Sequence, residues 1–224
     1  MKKLIFIVSI LLIASSCAFA DESQVGFEEK VLVPGTDFKN YSGLYIYGID
    51  VRGMVVKRID TDGNIHEKPA DEDTLSGIAS DLGKEFSAQI NKVLPVVEQE
   101  QKLKSLKELK GKKALILDIK LSYDRRIEEV GTLTQLLLKR EPSIVSGSAL
   151  TIECGYRDSD SGKPVLRLSQ RVPFDIEDNE HPFTGDKDQQ ELKQLIKIWA
   201  SRSARILSNK RGVEYTSDQL EKSQ

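Results

Sequence analysis

The chain has 224 residues, 39% hydrophobic and only 6% aromatic, which suits one domain with a sizeable core. Its formal net charge of −2, from 33 Lys and Arg against 35 Asp and Glu, is a solubility charge and addresses no particular partner. Two cysteines and two histidines exclude a scaffold built on disulfides and give no His or Cys pair at metal-ligand spacing.

The first twenty residues read as an export signal. Lys2 and Lys3 form a positive start, Leu4 to Ile13 a short apolar core, and Ala18-Phe19-Ala20 a small-residue cleavage box. The core is too short to span a bilayer. Cleavage after Ala20 leaves a free periplasmic or secreted protein from Asp21; removing Lys2 and Lys3 leaves 31 basic against 35 acidic side chains. Cleavage before Cys17 would instead leave a thiol for lipid attachment, anchoring the chain to the outer membrane. Ala14 stands where a lipoprotein signal carries a large aliphatic residue, so the cut at Ala20 is the first expectation and membrane association through Cys17 the alternative. Either cut places the folded part outside the cytoplasm and leaves no internal disulfide.

Two short runs follow, Glu29–Val33 and Leu44–Ile49, separated by Pro34-Gly35, and both predict strands. Between Met54 and Glu67 the Asp62-Gly63 pair predicts a hairpin, because glycine accepts positive φ without steric cost. From Thr74 the period changes. Leu75, Ile78, Leu82, Phe86, Ile90 and Val93 recur every three or four residues, which predicts a helix capped by Thr74, with Asp71, Glu72 and Asp73 at its positive end and Pro95 beyond it. Lys102 to Lys110 is a charged amphipathic stretch, either a short helix or a connector.

Ala114–Tyr123 is the clearest strand, with Leu115, Leu117, Ile119, Leu121 and Tyr123 on one face and Asp118, Lys120 and Ser122 on the other. Glu128–Gly147 is irregular and fits a short helix, a lid or a strand extension. Ser148–Tyr156 and Pro164–Val172 then alternate around Arg157–Lys163, predicting a second hairpin whose turn uses Asp158, Ser161 and Gly162. Cys154 shares the inward face with Leu150 and Ile152 and reads as a small buried apolar residue. The last helix carries Leu192, Leu195, Ile196, Trp199, Ser203, Ile206 and Leu207 as a stripe, with Asp186 as cap and Gln189 as its capping-box partner. Expected core positions are Leu82, Phe86, Leu117, Ile119, Leu150, Ile152 and Trp199. The domain is expected to span 21–208, with a polar, frayed tail over 209–224.

Chemistry-bearing patterns are sparse. Asp60-Thr-Asp-Gly-Asn64 has oxygens at alternate places, but Ile65 stands where a calcium loop needs glycine and the closing Glu is missing. Asp158–Gly162 departs further. His66 and His181 each stand alone, and no nucleophile elbow or phosphate-cradling loop occurs. The Lys102–Lys113 run is interrupted by Glu108 and lacks aromatics to stack bases. No catalytic, cofactor-binding or metal residue is assigned, and the chain is expected not to be an enzyme.

The order of elements, with Gly147–Ile152 leading to Tyr156-Arg-Asp-Ser-Asp-Ser-Gly-Lys-Pro-Val165 and a closing helix, resembles uncharacterised envelope proteins and lipoproteins of Gram-negative bacteria. The pattern is similar to periplasmic lipoproteins that activate peptidoglycan synthases and to the N-terminal domain of the Tol system's propeller protein. That resemblance implies an α+β or α/β sandwich that binds other proteins. The fold expected from the residues is a mixed, mostly antiparallel sheet covered on one face by two long amphipathic helices. The leading functional expectation is a non-enzymatic scaffold offering a sheet edge, or the Glu128–Ser146 segment, to another envelope protein. The alternative is a carrier of a small apolar or lipid ligand held between sheet and helices; an enzyme without a recognisable motif comes third. Nucleic acid is not expected as a partner, and oligomeric state is not legible.

Overall fold

The computed structural model describes residues 26–97, 111–129, 131 and 143–216. The expected signal with Cys17, Ala18 and Ala20, the Lys102–Lys110 stretch, most of the 130–142 insertion and the tail from 217 lie outside the described residues. In chain order the elements are β1 (Glu28–Val31), a 3-10 turn (Phe38–Asn40), β2 (Gly43–Ile59), β3 (Ile65–Pro69), α1 (Glu72–Ile90), β4 (Ala114–Glu129), β5 (Ser143–Asp158), β6 (Pro164–Pro173) and α2 (Asp186–Arg211). The strands form one six-stranded sheet in the order β1-β6-β5-β4-β2-β3. Every pairing is antiparallel except β2 with β4, which is parallel and is crossed by α1. This is the expected α+β class, a mixed and mostly antiparallel sheet packed against two helices.

Alternation explains the layering. Leu115, Leu117, Ile119, Leu121 and Tyr123 on β4 meet Leu150, Ile152, Cys154 and Tyr156 on β5, all buried in one core. Leu166 and Leu168 continue it on β6. From the helical side Ile78, Leu82, Phe86 and Ile90 of α1, and Leu192, Ile196, Trp199, Ala204 and Leu207 of α2, close over the same face. Full burial of side chains of this size stabilises the fold by roughly 1.5–3 kcal/mol each, before conformational entropy is subtracted. The opposite face is mostly charged, apart from a small buried cluster of Tyr45, Ala114 and Ile116 at one end.

Strand β2 is a single strand of 17 residues where the sequence suggested a strand followed by a separate hairpin. Its core-facing residues are Leu44 and Ile46, then Ile49 and Val51, then Met54 and Val56, so the spacing runs two, three, two, three, two. Register shifts between Ile46 and Gly48 and between Asp50 and Gly53 supply the two extra residues. Each bulge resets the phase without ending the strand. At the second bulge Gly53 lies so close to β4 that a β-carbon there would come within 2.8 Å of Ser122 Cβ.

Helix α1 is capped by Asp71, not by Thr74. Asp71 is extended and accepts from Thr74 N (2.8 Å) and from the Thr74 hydroxyl (2.7 Å), which places Thr74 inside the first turn. Helix α2 likewise begins one residue earlier than expected, with Gly185 at the cap and Asp186 at the first helical position, making no side-chain cap bond. The carboxylate that turns inward is Asp188, 1% exposed, which accepts from Glu177 N at 3.3 Å and ties the preceding loop to the helix. Gln189, the expected capping-box partner, instead reaches Thr184 O at 3.5 Å.

The last helix continues past residue 208. α2 runs to Arg211 and ends on left-handed Gly212 (φ 64°), with Val213 N donating to Ser208 O. Arg211 donates to Phe38 O (2.9 Å) and Tyr41 O (2.7 Å), and the Tyr215 hydroxyl donates to Gln89 Oε1 (2.9 Å). These bonds hold residues 209–215 against the 3-10 turn and α1, so the described fold extends beyond the boundary expected at 208.

Candidate functional site

The two predicted turns are built as turns. At Asp62-Gly63, Gly63 has φ 84° and the Asp60 carboxylate accepts from Asp62 N, Asn64 N and the Asn64 side-chain amide at 2.8–2.9 Å. Those donors, together with His66 Nε2 at 3.2 Å, hold the Asp60 pKa down to about 2. At the β5–β6 turn Asp158 accepts from Ser161 N (2.6 Å) and its hydroxyl (2.7 Å), while Gly162 takes φ 67°. Ser159 then exchanges bonds with Ala114, fastening this turn to the start of β4. The carboxylates that open the two calcium-like stretches, Asp60 and Asp158, are thus engaged with their own loops. Among the described residues no three His, Cys, Asp or Glu side chains form a metal-binding group. His66 pairs with Asp60, and His181 with Asp178 at 3.0 Å, at separate places. Cys154 is fully buried, and burial pushes its thiol pKa far above the ordinary range.

Three surfaces are left as candidates for binding. The open sheet face is one. Asp118 lies between Gly48 and Gly155 on the neighbouring strands, making a shallow dent. Arg157 grips the Asp118 carboxylate through Nε (2.8 Å) and Nη2 (2.7 Å) and lies 5.6 Å over the Tyr47 ring. Arg167 with Glu153, Arg171 with Asp124 and Arg52 with Asp50 neutralise one another across the rest. A face of mutually paired charges is the ordinary solvated side of a sheet, and such exposed pairs contribute about 0–1 kcal/mol each.

The sheet edges are the second. β1 presents Glu28-Glu-Lys-Val31 and β3 presents Ile65-His-Glu-Lys-Pro69, both short, charged and exposed, the usual protection against edge pairing. The upper end of β5 differs. β6 ends at Pro173, opposite Ala149, and Phe174 N donates the last bond to Ser148 O. Proline has no N–H to continue the ladder, and Gly147 (φ 72°) bends β5 opposite a register shift at Arg125. Beyond that point Ser143-Ile-Val-Ser-Gly147 remains paired to β4 on one side. Among the described residues no backbone bond reaches its other side. The stretch carries no charge and no proline, and Val145 is 47% exposed.

The third is a cleft of about 280 Å³ between the first halves of α1 and α2, floored by Ile78, Phe183, Leu192 and Ile196. Sequence reading pointed to a sheet edge or the Glu128–Ser146 segment in general terms, but the cleft was missed. The available signal was Gly77, a glycine inside a helix, where it costs stability unless packing or function needs the space.

No family model matches the chain, and no curated protein matches it either. Solved structures with some likeness include the PelC dodecamer from Paraburkholderia phytofirmans, 10% identical with a TM-score of 0.39, covering 79% of this chain and 94% of that one. Another is protein XCC0632 from Xanthomonas campestris, of family model DUF330, 9% identical with a TM-score of 0.41, covering 84% and 97%. At these scores the likeness carries no function, partner or oligomeric state to this chain. The finer resemblances to peptidoglycan-synthase activators and to the Tol propeller protein rest on the sequence pattern alone.

Proposed function

We propose that this chain is an exported, non-enzymatic binding module of the bacterial envelope that accepts an extended segment of another envelope protein along the outer side of β5, between Ser143 and Gly147. The observation that carries the reading is the contrast between edges: β1 and β3 are guarded by charge, and β3 by proline too, whereas Ser143–Gly147 has neither guard. An added strand would take up the N–H and C=O groups that bond no described residue and lay an apolar side chain beside Val145, so the partner is an uncharged, β-branched or aromatic stretch. A handful of backbone bonds worth roughly 0.5–1.5 kcal/mol each, with little side-chain burial, gives a reversible complex rather than a permanent one. The amino-terminal signal supports an envelope location for both partners.

The test places a photo-crosslinking residue at Val145 in the full-length protein, with Lys30 on β1 and Glu67 on β3 as controls. The expected result is an adduct from position 145 and none from 30 or 67. Moving the crosslinker to Ser146 and adding Val145→Lys, which restores a guard, should remove the adduct without changing the melting temperature. Equal adducts from all three positions, an adduct indifferent to Val145→Lys, or an adduct of twice the chain's own mass would each refute the reading, the last by showing self-association.

A further inference from the structure

The cleft between α1 and α2 has a composition that specifies a ligand. Its floor of Ile78, Phe183, Leu192 and Ile196 is apolar and buried. On the α1 wall Gly77 leaves an opening, since a β-carbon there would meet nothing within 4 Å. Asp73 and Asp81, about two helical turns apart on α1, stand at the rim, and Lys193 stands on the α2 side. Most carboxylates of the open sheet face are paired with an arginine. Neither Asp73 nor Asp81 has a side-chain hydrogen bond or ion pair to any described residue, so the mouth carries two unpaired carboxylates against one ammonium.

We infer that this cleft binds a small cationic amphiphile, with its apolar body on the Phe183 and Ile196 floor and its single ammonium or guanidinium group beside either Asp73 or Asp81, which stand about 12 Å apart along α1. The charge complementarity decides the class. An anionic amphiphile would bring its head to two carboxylates, whereas a cation there remains partly hydrated and loses little solvation. The volume sets the size: about 280 Å³ is just below the range of drug-sized ligand pockets, which fits a single ring with a short alkylamine and excludes a diacyl lipid. Phe183 of the floor packs on Phe174 (ring centroids 5.9 Å), whose N–H donates to Ser148 beside the β5 edge, but the assignment does not depend on the function proposed above.

Calorimetric titration of the mature chain with 4-phenylbutylamine, its charge-reversed analogue 4-phenylbutanoate and neutral 4-phenylbutanol tests the assignment. The amine should bind most tightly. Asp73→Asn combined with Asp81→Asn should weaken the amine by roughly 3- to 10-fold and leave the alcohol unchanged. Gly77→Leu should fill the cleft and abolish binding of all three, with a melting temperature at or above that of the wild type because leucine is the better helix former. Butanoate binding as tightly as the amine, an amine affinity indifferent to Gly77→Leu, or no saturable binding at millimolar amine would overturn it.

Discussion

Replacing Trp199 sets two opposing costs against each other. The indole is fully buried on α2 in the main core, and its Nε1 has no hydrogen-bond partner among the described residues. Trp199→Ala removes the whole ring and should cost about 3–5 kcal/mol, a large share of the roughly 5–15 kcal/mol that holds a domain folded. Trp199→Phe keeps an aromatic ring and gives up about 1–2 kcal/mol of burial and packing. It also removes a buried N–H that costs about 1–3 kcal/mol while unpaired. The two terms offset, so the Phe variant should lie within about 1 kcal/mol of the wild type. Urea unfolding followed by far-ultraviolet circular dichroism measures both, since the only tryptophan of the chain is absent from each variant. A Phe variant as unstable as the Ala variant would refute the reasoning, because it would mean that the indole N–H is satisfied.

The Tyr156 and Ser203 hydroxyls are buried and, among the described residues, bond to each other across the sheet–helix interface, so Tyr156→Phe should cost about 1–3 kcal/mol by orphaning Ser203. Adding Ser203→Ala should recover part of that loss in a double-mutant cycle. Gly53→Ala should destabilise by about 1–3 kcal/mol through the clash with Ser122, whereas Gly155→Ala, with nothing near its β-carbon, should be neutral or slightly stabilising in thermal melts. Burial, reinforced by Glu177 and Glu191, raises the Asp188 pKa. A carboxyl whose pKa is higher in the folded than in the unfolded chain makes stability fall as pH rises from about 4 through the folded pKa. Asp188→Asn should therefore raise the unfolding midpoint at pH 7 and leave it unchanged below about pH 4; a loss at pH 7 would contradict the stated direction.

Local patterns were legible where one period ran without interruption. Leu115 to Tyr123 alternates over nine residues, and Ile78 to Ile90 keeps helical spacing, so both elements and their inward faces follow directly from the sequence. β2 was not legible as one strand, because two bulges change the phase at Tyr47 and near Arg52, and each change looks like a boundary. The parallel pairing of β2 with β4 was hidden for another reason: it joins residues about 70 apart, as in Gly43 with Ala114, through contacts no short window contains. The caps were misplaced by one to three residues, since Asp71, Thr74 and Asp186 are all competent cap residues and only the chain's entry angle chooses among them. The edge at Ser143–Gly147 that no described strand covers arises from Pro173, 26 residues further along than Gly147, and the cleft from two helices more than a hundred residues apart.

The pairing of β1 with β6 has a consequence for the order of events during biogenesis. Glu28 lies beside Ser169, so the first described strand has no partner until about 140 further residues have left the ribosome. The hairpin of β5 and β6 with adjoining β4 holds the nearer contacts and can form first, leaving the leading segment to zip on last. Shortening the carboxyl-terminal half would therefore leave β1, the first described strand, without its partner.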